Sequence, residues 1–249
     1  MLMTTNLVLG LSALVFATSF LAGVLGMAGG MILMGVLLVF LPVPTAMVLH
    51  AIAQMTSNGW RALLWWKYIG WSILGRYACG LAAALAIFAA IRLIPDRAIV
   101  LLILGGTPFI VWLLPDRLAP RADRKGGAEV CGFICTALQL LSGVSGPALD
   151  IFFVKTTLDR RAVVATKAAC QVVTHFSRLI YFGGLTELGD DLGWSILVLS
   201  VTMAILGTSL SRTILERMTD VQFRLWTQRL VMAIGAVYMG QGLYALVSG

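Results

Sequence analysis

The sequence predicts an all-α polytopic membrane protein, from its composition, its charge distribution and an internal repeat. Of 249 residues, 59% are hydrophobic and 12% are charged, and the mean hydropathy is +0.94. Soluble domains carry about 25% charged residues, so this composition is typical of a membrane protein. No Asp, Glu, Lys or Arg precedes Arg61. That uncharged run holds more than one span, because a membrane helix needs about 20 apolar residues.

Ten apolar segments, five on each side of one polar stretch, predict the helices. They cover approximately residues 7–26, 31–41, 46–66, 70–91, 98–114, 130–142, 147–154, 162–184, 192–211 and 225–247. The polar stretch "PDRLAPRADRKGGAE" (115–129) is a linker between a first membrane repeat, 1–114, and a second, 130–249. In each half the second segment is too short to span and is flanked by Gly and Pro. These two segments predict short broken or re-entrant helices.

Sequence matches between the halves indicate a tandem duplication. "GWSIL" occurs at 70–74 and again at 193–197, and "GMAGG" (26–30) aligns with "GVSGP" (143–147) at an offset of 117. Five segments per half give an odd number of crossings, which predicts inverted-topology repeats. The linker residues Arg117, Arg121, Arg124 and Lys125 predict a cytoplasmic linker and periplasmic termini, because basic loops stay inside. Arg92 and Arg97 fall outside in this topology and agree with it less well.

The formal net charge of +7 comes from basic residues clustered between apolar segments. The positive-inside bias accounts for this distribution, so we expect no nucleic-acid partner. Four cysteines are present, Cys79, Cys131, Cys135 and Cys170, and their spacing completes no metal-ligand set. We interpret them as small packing residues and predict no metal, no cofactor and no catalytic residue. HExxH and GxSxG are both absent from the sequence, which disfavours an intramembrane enzyme.

Two polar stripes occupy matching positions in the two halves. Residues spaced by four, four and three share one helix face. "HAIAQMTSNGWR" (50–61) and "KAACQVVTHFSR" (167–178) both have this spacing, with the polar positions His50, Gln54, Asn58, Arg61 and Lys167, Gln171, His175, Arg178. Charged groups in a membrane helix face a bundle interior or a wet cavity, so we predict that both stripes line a binding site. Alternatively, the arginines reach the headgroups while the Gln and His side chains join helices.

Glycine-rich breaks precede both short segments. The first contains Gly26, Gly29 and Gly30, and the second contains Gly143 and Gly146. Unwound backbone at membrane depth requires a covering protein surface or a water cavity. A helix that begins there directs free N–H groups and a positive dipole end toward an anion. Close helix packing through small residues is the alternative interpretation.

Asp150 is an acidic residue in the short second segment of the second half, and its counterpart in the first half is Leu33. We expect it to pair with Lys167 or Arg178. The alternative is a proton carrier that couples transport to the proton gradient, and the two histidines also titrate near neutral pH. Because Lys167, His175 and Asp150 belong to the second half, we expect that half to hold the charge of the anion and the first half to complete the cavity.

These features predict a secondary transporter of a small anion that alternates access to a site at the membrane midplane. An anion channel would use the same polar lining. A transporter of small carboxylates is a further alternative, as is a membrane subunit that serves only as a scaffold. The oligomeric state stays open.

The glycine signatures "GVLGMAGGMIL" and "SGVSGPALD", each followed by a span that begins near "TAMVLHAIAQ" or "RAVVATKAACQ", resemble the TauE/SafE sulfite exporter family. The resemblance covers nearly the whole chain, although Pro147 stands where the first half has Gly30. It implies a permease of the bacterial inner membrane for small sulfur-containing or organic anions, such as sulfite or a sulfonate, often in the direction of export.

Overall fold

The computed structural model describes residues 5–25, 28–115, 120–184, 193–215 and 220–248. Within these ranges the chain forms ten α-helices and one 3₁₀ helix, Trp66–Tyr68. The α-helices are α1 (Thr5–Leu25), α2 (Ala28–Phe40), α3 (Val43–Leu64), α4 (Trp71–Ile91), α5 (Arg97–Leu113), α6 (Gly127–Ser142), α7 (Gly146–Val154), α8 (Arg160–Gly183), α9 (Trp194–Leu215) and α10 (Asp220–Ser248). In the described residues, four helices contain stretches long and apolar enough to cross a membrane, namely α1, α4, α9 and α10. The predicted fold class, an all-helical polytopic membrane protein, is confirmed.

The second helix of each half is short, as the sequence predicts. Helix α2 has 13 residues and α7 has 9. At 1.5 Å per residue they measure roughly 20 and 14 Å, whereas the hydrocarbon core is about 30 Å thick. Neither helix is long enough to cross the membrane alone.

The helices pack in pairs, and each pair joins one helix of the first half with one helix of the second half. When each helix is matched with the one five places later, α1 corresponds to α6 and α4 corresponds to α9. Helix α1 packs along α9, and α6 packs along α4, while α3 packs on α8 and α5 on α10. Exchange of the two halves leaves this set of contacts unchanged. The packing supports the duplication, while the inverted orientation of the halves stays a prediction.

Glycine allows the backbones in two of these helix pairs to approach closely. A Cβ atom at Gly80 of α4 would collide with the carbonyl of Glu129 at the start of α6. In the corresponding pair, a Cβ atom at Gly207 of α9 would collide with the carbonyl of Phe16 in α1. Small residues stabilise membrane helix pairs in this way because lipid supplies no hydrophobic drive for association.

Burial follows the pattern of a protein surrounded by lipid. The Arg178 side chain is 0% exposed, and His50 and Gln54 are buried near it. In contrast, Ile110 and Val154 are each 70% exposed on the outer surface. Buried cations and outward-facing aliphatic side chains are what a bundle in hydrocarbon requires.

The predicted linker, 115–129, ends inside α6, which begins at Gly127. Its described part docks on the second half through a hydrogen bond from the Ala122 N–H to the Phe152 carbonyl, at 2.9 Å. Beside this contact, Asp123 accepts hydrogen bonds from the backbone and hydroxyl of Thr157, at 3.1 and 3.0 Å. The linker is therefore attached to the end of α7.

An ion pair lies at the same place in the linker. The guanidinium of Arg121 contacts the Asp123 carboxylate at 2.7 Å. The hydrogen bond from Arg121, together with those from Thr157, holds the pKa of Asp123 below its usual range.

Three of the four cysteines pack in one buried cluster. Cys131, Cys135 and Cys170 lie with Tyr77 between α4, α6 and α8. Cys79 is exposed on α4, so its predicted packing role is wrong, because that face of the helix points outward. The described residues contain no group of three or more His, Cys, Asp or Glu side chains arranged to hold a metal.

Candidate functional site

Helices α3 and α8 carry the two polar stripes and pack side by side. Helix α3 begins after Pro42 and has Pro44 in its first turn, where a missing N–H costs nothing. Helix α8 begins at the N-cap Asp159, whose carboxylate accepts from the N–H groups of Arg161 and Ala162, at 2.8 and 3.1 Å. These residues set where each helix starts, and the helical period then puts the polar residues of each stripe on one face.

A cavity of about 290 Å³ lies between these helices, the end of α1 and the connection between α6 and α7. Seven of the eight stripe residues line it, namely His50, Gln54, Asn58, Arg61, Lys167, Gln171 and His175. Gly30, Gly143, Gly146 and Asp150 also line it. The structure therefore brings most of the predicted site residues together in one cavity.

Arg178 is the eighth stripe residue, and it lies behind the cavity wall rather than in it. Its guanidinium donates through Nη1 to the Gly143 carbonyl and through Nη2 to His50 Nδ1, the latter at 2.7 Å. His50 Nε2 lies 2.9 Å from the Gly30 carbonyl. A continuous chain of hydrogen bonds thus connects the start of α2 in the first half with the end of α6 in the second.

This chain of hydrogen bonds determines the charge state of His50. A guanidinium only donates, so Nδ1 of His50 must accept; a carbonyl only accepts, so Nε2 must carry the hydrogen. The ring is therefore neutral in this conformation. While Arg178 stays in place, His50 cannot take up a second proton and therefore cannot couple transport to a proton gradient.

Lys167 and Asp150 form an ion pair through Nζ and Oδ1, as the sequence predicts. Both side chains are part-exposed, at 30% and 39%. The pair joins α8 to the short helix α7 at the cavity wall. Its two charges neutralise each other.

Arg61 is the cavity-lining cation that has no carboxylate within ion-pair distance among the described residues. Its Nη2 donates a long hydrogen bond, at 3.4 Å, to the Ala22 carbonyl near the end of α1. Beside it, the side chain of Asn58 donates to the Gln54 carbonyl of its own helix at 2.9 Å. The guanidinium of Arg61 thus remains available to a negatively charged ligand.

The predicted break glycines differ in their backbone. Gly143 ends α6 with φ +78°, in the left-handed region, and a Cβ there would press on Arg178 and Met34. Gly146 is the first residue of α7. Gly29 and Gly30 are helical, in the first turn of α2, so the prediction that they form unwound backbone is wrong. Gly29 instead permits close contact with the backbone of α1, and Gly26 lies outside the described residues.

Three further polar residues, Gln139, Ser145 and Thr227, line the cavity although the sequence analysis did not select them. Gln139 Nε2 lies 2.6 Å from His175 Nδ1, and the Ser145 side chain at the N-cap of α7 does not cap that helix. The positions of Ser145 and Gln139 in the sequence could have identified these two residues, because Ser145 belongs to the second glycine signature and Gln139 lies one helical turn before Gly143.

Three buried polar atoms of this cavity have no hydrogen-bond partner among the described residues. They are Gln54 Nε2, Gln139 Oε1 and Ser145 Oγ. Their residues are 6%, 0% and 1% exposed. Buried polar atoms are almost always paired, with protein, water or ligand. We therefore expect water or a ligand to pair with these atoms.

The fold and the cavity define a multi-pass helical membrane protein with a polar cavity that Arg61 and Lys167 line. Residues 11–239 match the family Sulfite exporter TauE/SafE. Because this match covers most of the chain, the protein belongs to that family, and the resemblance seen in the sequence is confirmed. Comparisons with curated proteins and with solved structures found no significant match.

Proposed function

We propose that this protein is a secondary transporter that exports a small sulfur-containing or organic anion, such as sulfite or a sulfonate, across the bacterial inner membrane. Membership of the sulfite exporter family implies a transporter of this type. The observation that carries the proposal is Arg61, a cation without a carboxylate partner among the described residues, on the wall of a 290 Å³ cavity.

The anion binds between Arg61 and the start of α7. A guanidinium presents a planar set of donors suited to carboxylate or sulfonate oxygens. Gln54 Nε2 and Ser145 Oγ add neutral donors that have no other partner among the described residues. The N-terminal end of α7 contributes its positive dipole, and its Ser145 side chain leaves the N–H groups uncapped.

Arg178 and His50 position this site without touching the anion. Their hydrogen bonds connect the Gly30 carbonyl of α2 with the Gly143 carbonyl of α6. Since the two carbonyls belong to different repeats, the connection holds the two breaks at a defined separation. Movement of one repeat against the other, as alternating access requires, changes this separation.

The orientation that we propose has inverted repeats, a cytoplasmic linker and periplasmic termini. The basic residues of the linker favour the cytoplasmic side. The hydrogen bond of Thr157 with Asp123 holds the linker beside Lys155 and the start of α8, where Arg161 lies, which supports the same side for both. The linker and this second basic region therefore both agree with the positive-inside rule.

Asp150 is the proposed proton carrier. An anion entering the cavity attracts Lys167 and weakens its ion pair with Asp150. A carboxylate that loses its counter-charge takes up a proton more readily, so anion binding and protonation are coupled. The variant Asp150→Asn keeps the shape of the side chain and cannot titrate.

Transport by the purified protein in liposomes tests the proposal. We expect Arg61→Met to abolish uptake of sulfite and of simple sulfonates, while the control Arg76→Met, outside the cavity, retains it. We expect Asp150→Asn to keep anion counterflow and to lose accumulation driven by a proton gradient.

Each part of the proposal can fail separately. Wild-type uptake by Arg61→Met would exclude the proposed site. Loss or retention of both activities in Asp150→Asn would exclude the coupling role. Flux that shows neither saturation nor counterflow would identify an anion channel instead.

A further inference from the structure

We infer that the anion carries a second, uncharged hydrogen-bonding group, such as a hydroxyl, and that Gln139 recognises this group. The inference rests on the proposed function and specifies its substrate: a short organic anion with a charged end at Arg61 and a hydroxyl-bearing end at Gln139. Gln139 acts as a specificity-determining residue rather than as a ligand of the charge.

The amide of Gln139 is held so that one of its two polar atoms has no partner. Its Nε2 atom is fixed at 2.6 Å from His175 Nδ1. Its Oε1 atom is buried and has no hydrogen-bond partner among the described residues. The residue lines the cavity and is 0% exposed. A buried carbonyl oxygen without a donor is costly, which favours a ligand that supplies one.

A hydroxyl group suits this amide in both of its possible orientations. If the amide is turned by 180°, Oε1 accepts from a hydrogen on His175 Nδ1, and Nε2 becomes the atom without a partner. A hydroxyl group both donates and accepts, so it pairs with either atom. A methyl group pairs with neither and leaves the buried polar atom unsatisfied.

The polar end and the charged end of the site belong to different repeats. Arg61 contacts the carbonyl of Ala22 on α1, and Gln139 lies on α6 at the position that matches Ala22 with the offset of 117. Arg61 itself lies on α3, so the two groups line the cavity from helices of different halves. At about 30 Å³ per water molecule, the 290 Å³ cavity has room for an organic chain between them.

Matched pairs of anions test the inference with the purified full-length protein. In the first pair, 2-hydroxyethanesulfonate and propane-1-sulfonate differ by a hydroxyl in place of a methyl group. In the second pair, 2-hydroxypropanoate and 2-methylpropanoate differ in the same way on a carboxylate. We expect calorimetric titration to give a dissociation constant about tenfold or more lower for the hydroxyl member, because an unpaired buried polar atom is costly.

Two variants assign the preference to a residue. Gln139→Met keeps the length of the side chain and removes the amide, so we expect the preference for the hydroxyl member to fall to about onefold while the alkyl member still binds. Gln171→Met makes the same change at another residue of the same cavity, and it should leave the preference unchanged.

The outcomes separate the inference from the proposed function. Equal affinity for both members of a pair in the wild-type protein would overturn the inference and leave the proposed function intact. A preference that persists in Gln139→Met, or that is lost in Gln171→Met instead, would overturn the assignment to Gln139. Absence of binding for all four anions while sulfite still binds would overturn the inference alone, and absence of binding for sulfite as well would overturn both proposals.

Discussion

The two repeats put equivalent arginines in different environments. Arg61 and Arg178 occupy matching positions, and each donates to a carbonyl at the end of the matching helix, Ala22 in α1 or Gly143 in α6. Arg178 is fully buried and also binds His50, whereas Arg61 lines the cavity. The same residue type thus serves the architecture in one repeat and is available to a ligand in the other.

The remaining cation of the second repeat is also engaged, because Lys167 is paired with Asp150. The sequence favoured the second repeat as the one that holds the charge of the anion. The contacts favour Arg61 of the first repeat instead. The difference teaches that duplicated polar faces need not duplicate their roles, since one changed neighbour, such as Asp150 in place of Leu33, neutralises a cation.

The largest expected difference between the repeats concerns the two arginines. In Arg178→Met, the Gly143 carbonyl and His50 Nδ1 lose their donor. We expect the free energy of unfolding to fall by about 2 kcal/mol or more, since each buried polar atom left unpaired costs about 1–3 kcal/mol and relief of the buried charge offsets part of the loss. Arg61→Met removes one long hydrogen bond and should lower the free energy of unfolding by less, by about 1 kcal/mol at most. Denaturant unfolding in detergent measures both, and equal losses would contradict the comparison.

A smaller difference is expected between Gly143 and Gly30, two of the glycines that line the cavity. Gly143→Ala forces a side chain into the left-handed region, at a cost of about 1–2 kcal/mol, and presses its Cβ against Arg178. At Gly30, which is helical, an added Cβ lies 3.5 Å from the Gln54 side chain, an ordinary contact. In denaturant unfolding we expect Gly30→Ala to have the same free energy of unfolding as the wild type. The added methyl group should narrow the cavity. If Gly30→Ala were the less stable variant, the assigned backbone conformations would be wrong.

The smallest effect concerns the linker, which attaches to the end of α7 through Asp123. Exposed ion pairs contribute at most about 1 kcal/mol, so Asp123→Asn should lower stability slightly. Because Arg121 and Thr157 lower the pKa of Asp123 in the folded protein, the contribution is present above the ordinary Asp pKa of about 4 and is lost as pH falls below it. The difference in stability between wild type and variant should therefore stay constant from pH 7 to about pH 5 and then shrink steadily as the pH is lowered from about 4 to about 2. A difference that does not shrink over that range would exclude the electrostatic origin.

The sequence by itself determined the fold class, the positions of ten helices, the two short helices and the common face of each polar stripe. It also predicted the ion pair of Asp150 with Lys167. These features follow from local rules, because a run of apolar residues specifies burial or lipid contact and the helical period specifies which side chains share a face. Seven stripe residues line one cavity for this reason.

The tertiary structure alone decided how deep each polar side chain lies and what it contacts. The helical period gives the direction of Arg178 but not the positions of Gly143 and His50, which take up its donors. Gln139 and Ser145 became candidates only because α6 and α7 meet α3 and α8 at the cavity. Hydrogen bonds depend on distances within about 3 Å between atoms far apart in the chain. Those distances are set by the packing of whole helices, which no local pattern contains.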